Sequence, residues 1–300
     1  MNKLPILFLV FNRKDIALES LKSIRNYKPS KLYIAADGPR KNKPNEEKVC
    51  DEVRQAIINS IDWECEIHTL FRTENLGCAK AVNEAITWFF ENVEYGIIVE
   101  DDCVLHPDFY KLCDIYLPFY TNEEKIMLIS AHNVTPDLNK ADELVFTNIA
   151  YIWGWATWRR AWNKMDMSMK RWKEISLVKL IKDFGIIQGV MRYYHWHKTY
   201  TNLEESTSWA TRWCFNVYIN NGLCLLSNAN LTKNTGTTSK GTHYQEGDEN
   251  PYKHLSYGSI SWPLKEPTIE ISKGIIKAER KEFKRLKYIG LKKKIKKLLK

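Results

Sequence analysis

Four strand-like segments in the first hundred residues each break off at charged or turn-forming residues, and this repetition restricts the fold more than any other feature. Residues 4–11 read LPILFLVF and lead into Asn12-Arg13. Residues 31–36 lead into Asp37-Gly38-Pro39-Arg40, and a run near 64–71 leads into Arg72-Thr73-Glu74-Asn75-Leu76-Gly77. Residues 95–99 (YGIIV) end at Glu100-Asp101-Asp102. A continuous apolar run suits a strand covered on both faces. Between the runs, residues 14–26 carry Ile16, Leu18, Leu21 and Ile24 at helical spacing, and further helices are expected near 46–60 and 78–91. The β-α-β-α-β-α-β order predicts an α/β fold, a mostly parallel, doubly wound sheet flanked by helices.

Beyond about residue 122 the pattern loosens. A strand is expected at 125–130, an aromatic block at 151–162, one helix over 177–197, and a turn with a short strand over 220–228. Residues 232–250, rich in Thr, Gly, Ser and Asn, read as a mobile loop. The chain thus divides into one domain at 1–272, with halves at 1–122 and 123–272, and a tail at 273–300.

The acidic triplet carries the strongest chemical signal. Carboxylates closing a buried strand are costly unless a cation or cationic ligand meets them. Mg²⁺ and Mn²⁺ favour one or two carboxylates together with the oxygens of a substrate diphosphate. Ligands of open α/β sheets also gather at the carboxyl ends of strands. An alternative is that the acids merely precede a helix: His106-Pro107-Asp108 is a helix start, with Pro at the first helical position and Asp in the first turn. That accounts for Asp108 and leaves the triplet unexplained.

Charge is unevenly held. Of the formal net charge of +9, residues 273–300 contribute thirteen Lys or Arg against Glu279 and Glu282, a net +11, so the other 272 residues sum to −2. In that tail Phe283, Leu286, Tyr288, Leu291, Ile295, Leu298 and Leu299 recur three and four apart among lysines. This predicts a basic amphipathic helix suited to an anionic membrane surface, with Gly290 a place for it to break. The other readings are a solvated charge run or a nucleic-acid arm. The seven Cys form no CxxC pair and no zinc-like cluster, which points to reduced thiols in a cytoplasmic protein. No run is long enough for a signal-peptide core or a membrane span. Eleven Trp, many between residues 153 and 213, either pack a core or line a sugar-binding cleft.

The elements FNR, DGP, NLG and EDD in this order resemble the GT-A glycosyltransferases, most closely bacterial transferases related to N-acetylglucosaminyltransferase I. Gly154-Trp155-Ala156-Thr157-Trp158-Arg159-Arg160-Ala161-Trp162, Ser208-Trp209-Ala210-Thr211-Arg212-Trp213, and Asn234-Thr235-Gly236 with Gly241-Thr242-His243 extend the likeness over most of residues 4–250. The resemblance implies a nucleotide-sugar donor, Mn²⁺ or Mg²⁺ as cofactor, and inverting transfer to a glycan or lipid-linked acceptor in bacterial surface polysaccharide synthesis. It places residues 1–122 on the donor and 123–272 on the acceptor. It also implies a peripheral position on the inner face of the plasma membrane, with no nucleic-acid partner.

Residue by residue, the resemblance gives Arg13 and Asp37 to the nucleotide, Glu100 and Asp101 to the ribose and metal environment, and Asp102 to the metal. Arg72 and Lys80 are assigned to the diphosphate. His243 would ligate metal or diphosphate from a closing loop, or else lie exposed. The acceptor hydroxyl needs a general base. Related enzymes carry an Asp in or before the SWxxxW block, where this chain has Thr207 and Ala210, so the nearest acids, Glu205 and then Glu204, are the candidates, unless they belong to a solvent-exposed helix end. Two rivals are a nucleotidyltransferase of the same sheet architecture and a non-catalytic glycan-binding protein. The first should carry a Gly-rich phosphate loop after the first strand, and Val10-Phe11-Asn12-Arg13-Lys14 contains no Gly.

Overall fold

The computed structural model describes residues 3–237, 252, 255 and 257–298. Its first half alternates as expected: β1 (Ile6–Val10), α1 (Lys14–Tyr27), β2 (Lys31–Ala36), α2 (Glu46–Asn59), β3 (Glu66–Phe71), α3 (Cys78–Asn92) and β4 (Tyr95–Glu100). A three-residue strand β5 (Cys103–Leu105) follows, then α4 (Pro107–Phe119), capped by the His106 side chain. The second half comprises β6 (Ile126–Ser130), β7 (Leu144–Thr147), β8 (Trp155–Trp158), α5 (Arg159–Trp162), α6 (Leu177–Phe184), α7 (Ile186–Thr201), α8 (Trp209–Ile219), β9 (Leu223–Ser227), β10 (Thr232–Asn234) and α9 (Lys273–Leu298).

Eight strands form one sheet in the order β3-β2-β1-β4-β8-β6-β9-β7, while β5 and β10 pair separately. The β3-β2-β1-β4 half is parallel throughout, but β8 runs antiparallel to both β4 and β6, and β7 antiparallel to β9. The sheet is therefore mixed and mostly parallel, not uniformly so. Side-chain alternation sends Ile6, Phe8, Ile34, Ile97 and Val99 towards α1, α2 and α4. Leu7, Leu9, Tyr33 and Ile98 join α3, α5 and α8 on the other face. Burial on both faces is what makes β1 apolar at every position; each such side chain contributes about 1.5–3 kcal/mol.

Several expectations are corrected. The helix expected over 177–197 is two helices. Gly185 sits between them at φ 83°, a left-handed conformation open to glycine at little cost, and there α6 ends and α7 begins. The loop expected over 232–250 begins instead with β10, and its remainder past residue 237 lies outside the described residues. The tail helix runs unbroken through Gly290. Its first turns dock on the body: Ile275, Glu279 and Glu282 are buried, and the Ser272 amide donates to the Phe146 carbonyl on edge strand β7. Tail residues Phe283 and Leu286 are half-buried.

The Trp block is core. Trp155, Trp158, Trp162, Trp209 and Trp213 are all buried, with ring centroids 5.1 Å apart for Trp162–Trp213 and 5.7 Å for Trp155–Trp213. These rings cannot line an open sugar cleft. Trp153, half-buried beside His132 at 4.4 Å, stands outside that stack. All seven cysteines are free thiols.

Candidate active site

Register brings the charged strand ends together. Val10 lies opposite Ala36, Leu9 opposite Glu100, and Ala36 opposite Phe71, so β1, β2, β3 and β4 stop at one rim. The strand order steps from β3 through β2 to β1 and then to β4 on the other side, so the chain reverses direction across the sheet at this edge.

Arg13, the residue before α1, spans two acids. Its guanidinium holds the Asp101 carboxylate through Nη2, and through Nε at 3.1 Å, and donates to Asp102 Oδ2 at 3.2 Å. Burial works against the Arg13 charge, but hydrogen bonds and charge from Asp101, then Asp102, more than offset it and raise its pKa. Ser20 Oγ on α1 donates to the Asp101 carbonyl at 2.7 Å, tying the strand exit to the helix. Burial lifts the Asp101 carboxyl to about 6 despite the pull of Arg13. Glu100 is half-buried with no hydrogen-bond partner among the described residues; burial, then Asp102 and Asp101, pushes it to about 8. Three acids therefore face one arginine, a surplus of negative charge that a cation would relieve.

Asp102 is seated from the far end of the chain. β10 pairs with β5, Asn234 donates to Asp102 Oδ1 at 3.2 Å, and the Thr235 amide donates to the Asp102 carbonyl at 2.8 Å. A Cβ on Gly236 would lie 2.3 Å from Asp102 Oδ2, so only a glycine leaves that oxygen its place. Among the described residues no three His, Cys, Asp or Glu side chains converge to cage an ion. The donor set is the Asp101 and Asp102 carboxylates on one edge, which fits a hard divalent ion that takes its remaining oxygens from a bound diphosphate and water.

The other expected site residues are placed as follows. The Asp37 carboxylate is engaged by the backbone, accepting from the Gly38, Leu76 and Gly77 amides at 2.9, 3.0 and 3.0 Å. Asn75 answers by donating to the Gly38 carbonyl at 2.7 Å, so the DG turn and the NLG loop clasp each other. Arg72 and Lys80 converge on Glu84, at 2.9 and 3.9 Å, rather than on the acidic triplet. Glu204 and Glu205 are exposed in the segment between α7 and α8. His243 lies outside the described residues.

Two groups at the rim escaped the sequence reading. Glu46 is buried, accepts from Asn12 at 2.9 Å and from the Arg40 amide at 2.7 Å, and is drawn down to about 2, chiefly by Arg40. Arg54 on α2 donates to the Asp37 and Arg72 carbonyls at 3.1 and 2.6 Å, locking the ends of β2 and β3. Asn12, directly beside Arg13, was the one available signal for the Glu46 clamp.

Comparison with known proteins agrees with this architecture. The sequence model of the family described as "Glycosyl transferase family 2" matches residues 6–189. No curated protein matches the chain. Among solved structures, HddC from Yersinia pseudotuberculosis is 8% identical with a TM-score of 0.32, the match covering 52% of this chain and 77% of that one. A putative glucose-1-phosphate thymidylyltransferase from Bacillus anthracis, in complex with a sucrose, is 10% identical with a TM-score of 0.33, covering 54% and 74%. A UDP-glucose pyrophosphorylase complexed with UDP-glucose is also 10% identical, with a TM-score of 0.30, covering 54% and 79%. These structural likenesses are too low to bear on activity. The family match spans well over half the chain and its whole acidic rim: the protein belongs to glycosyl transferase family 2, and is a nucleotide-sugar glycosyltransferase with a GT-A-type mixed α/β sheet.

Proposed function

We propose that the rim at Arg13 and Glu100-Asp101-Asp102 is the donor site of an inverting, metal-dependent transferase. The observation that carries this reading is the surplus of acid over arginine at the exit of β4, with Asp102 held in place from both β5 and β10. Asp102 would be the direct ligand of Mn²⁺ or Mg²⁺, with Asp101 and Glu100 beside it. When bound, the ion would neutralise charge on the departing nucleoside diphosphate. Arg13 would orient the acids and shift towards the diphosphate as the ion takes its place. Asp37 would act on the nucleotide indirectly, by fixing the Asn75-Leu76-Gly77 loop.

The acceptor hydroxyl would lose its proton to a carboxylate on the opposite side of the sugar, and Glu205, with Glu204 as its neighbour, is the proposed base. The acceptor would be a glycan or lipid-linked saccharide of a bacterial surface polysaccharide, met at the cytoplasmic face of an anionic membrane through residues 273–300. Among the described residues no helix is long and apolar enough to cross a membrane.

Thermal-shift titration with nucleotide sugars, with and without Mn²⁺, tests the donor site. A donor that raises the melting temperature only with metal supports it; equal shifts with Mn²⁺ and with EDTA overturn the metal assignment. Glu205→Gln should cut turnover about 100-fold or more, the scale of general-base loss, while donor affinity stays unchanged. If Glu204→Gln does this instead, the adjacent acid is the base.

A further inference from the structure

α6 and α7 turn an aliphatic ridge outwards. On α7, Ile186, Ile187, Val190 and Tyr194 are 71%, 50%, 44% and 59% exposed, and Val178 on α6 is 77% exposed. The α7 positions recur at three- and four-residue intervals and so share a face. The opposite side of that helix buries Gly189, Trp196 and Thr199. Single exposed apolar side chains need no explanation, but four aliphatics and a tyrosine on two successive helices form a patch.

A basic stripe lies beside this ridge. Arg280 on α9 donates to the Lys182 and Asp183 carbonyls at 3.0 and 2.8 Å, and a Cβ on Gly185 would come within 3.4 Å of its Nε. About two turns further along α9 and nearly three along α7, burial and then the nearby charge of Lys287 lower the pKa of His195, so α9 runs along α7. The outer side of α9 carries Lys273, Lys277, Arg280, Lys281 and Lys284, which with Ile276 line a groove of about 640 Å³. The only acids of residues 273–300 face inwards: Glu279 accepts from Thr147 and Tyr151, and Glu282 is buried and paired with Arg285. The helix thus hides its negative charge and presents its positive charge.

We infer that the α6–α7 ridge together with the basic stripe of α9 is a docking surface for an anionic lipid bilayer. Insertion of the aliphatic side chains and attraction of the lysines to lipid head groups are the two signals that stable peripheral binding needs. Charge selects this occupant over a second copy of the chain, because a two-fold contact through this face would set lysines against lysines. The inference rests on the proposed action at a membrane and specifies which surface meets it.

Co-sedimentation of the full chain with phosphatidylcholine vesicles, with and without phosphatidylglycerol, tests the surface. The wild type should pellet with the anionic vesicles and be released by high salt. Ile186→Asp/Val190→Asp and Lys277→Glu/Lys281→Glu should each lower the bound fraction about tenfold or more. Neither should change the melting temperature, since these side chains face outwards. Wild-type vesicle binding by the Ile186→Asp/Val190→Asp variant overturns the inference. So does loss of dimer in that variant without loss of vesicle binding, which would identify a second copy. Binding to duplex DNA as tight as to vesicles, insensitive to the aliphatic changes, would reveal a mere polyanion site and also overturn it. Donor-induced thermal shifts of the wild type are read separately, so failure of the donor assignment leaves a different signature.

Discussion

The two halves of the sheet position side chains in different ways. In β1 to β4, parallel register alone sets the geometry: each strand delivers its terminal charged residue to the same rim, and helices follow β1, β2 and β3 from there. From β6 onwards, antiparallel pairing, a buried Trp stack and short strands such as β10 assemble positions from remote segments. The charged rim is therefore built locally at strand ends, whereas the support of Asp102 depends on residues more than a hundred positions away. A change at the rim should register first in ligand binding. A change in the second half should reach the rim only through such cross-links.

The sharpest break of that contrast is Asp102→Asn, nearly isosteric and confined to the rim. It should lower metal-dependent turnover about 1000-fold, the scale of several kcal/mol of lost Lewis-acid support, with an unchanged melting temperature. Turnover retained within tenfold would remove Asp102 from the site. Arg13→Ala should instead cost stability, about 3 kcal/mol at neutral pH, because buried Asp101 loses its partner. Urea unfolding should show a smaller loss near pH 5, where Asp101 can take up a proton; an equal loss at both pH values would discount the pair.

Gly236→Ala probes the cross-link. The added Cβ displaces the Asp102 carboxylate, a movable side-chain end, so activity should fall about tenfold, as for other supports of metal ligands, while unfolding stays near wild type. The last is a pH slope. Glu100 is lifted from 4.5 to about 8, so between those values the folded chain holds a proton that the unfolded chain has released. Its contribution to stability is full below pH 4.5 and is lost as pH rises to about 8. Glu279, raised to about 7 chiefly by burial, acts in the same direction. Melting temperature against pH should be flatter in Glu100→Gln than in the wild type; superimposable profiles would refute the shift.

The same contrast explains what could be read in advance. An unbroken apolar run located β1, and strand-like segments between helical ones located β2, β3 and β4, each to within a residue or two; the residues after them defined the rim. Arg13 opposite the acids followed from that. The partners within the rim did not: Asp37 engages backbone amides, and Arg72 with Lys80 meets Glu84, because such pairing depends on rotamers that spacing does not encode. β5 and β10 are three residues long, too short for any periodicity, so Asn234-Thr235-Gly236 was legible only as a motif of the resemblance, and that it seats Asp102 was not. Gly185 sits in a run that reads as helix on both sides, and only its backbone geometry marks the joint. The Trp residues were legible as either core or cleft, and packing decided for core.

The carboxyl of Glu279 has a practical bearing on where this enzyme can be cut. A chain ended after Ser272 would strip Thr147 and Tyr151 of their acceptor and remove the helix packed on β7, so it would lose cohesion before it lost any adhesive property. Shortened versions should retain the helix past Glu282 and Leu286. The division between body and appendage falls within one continuous helix, several turns after it begins.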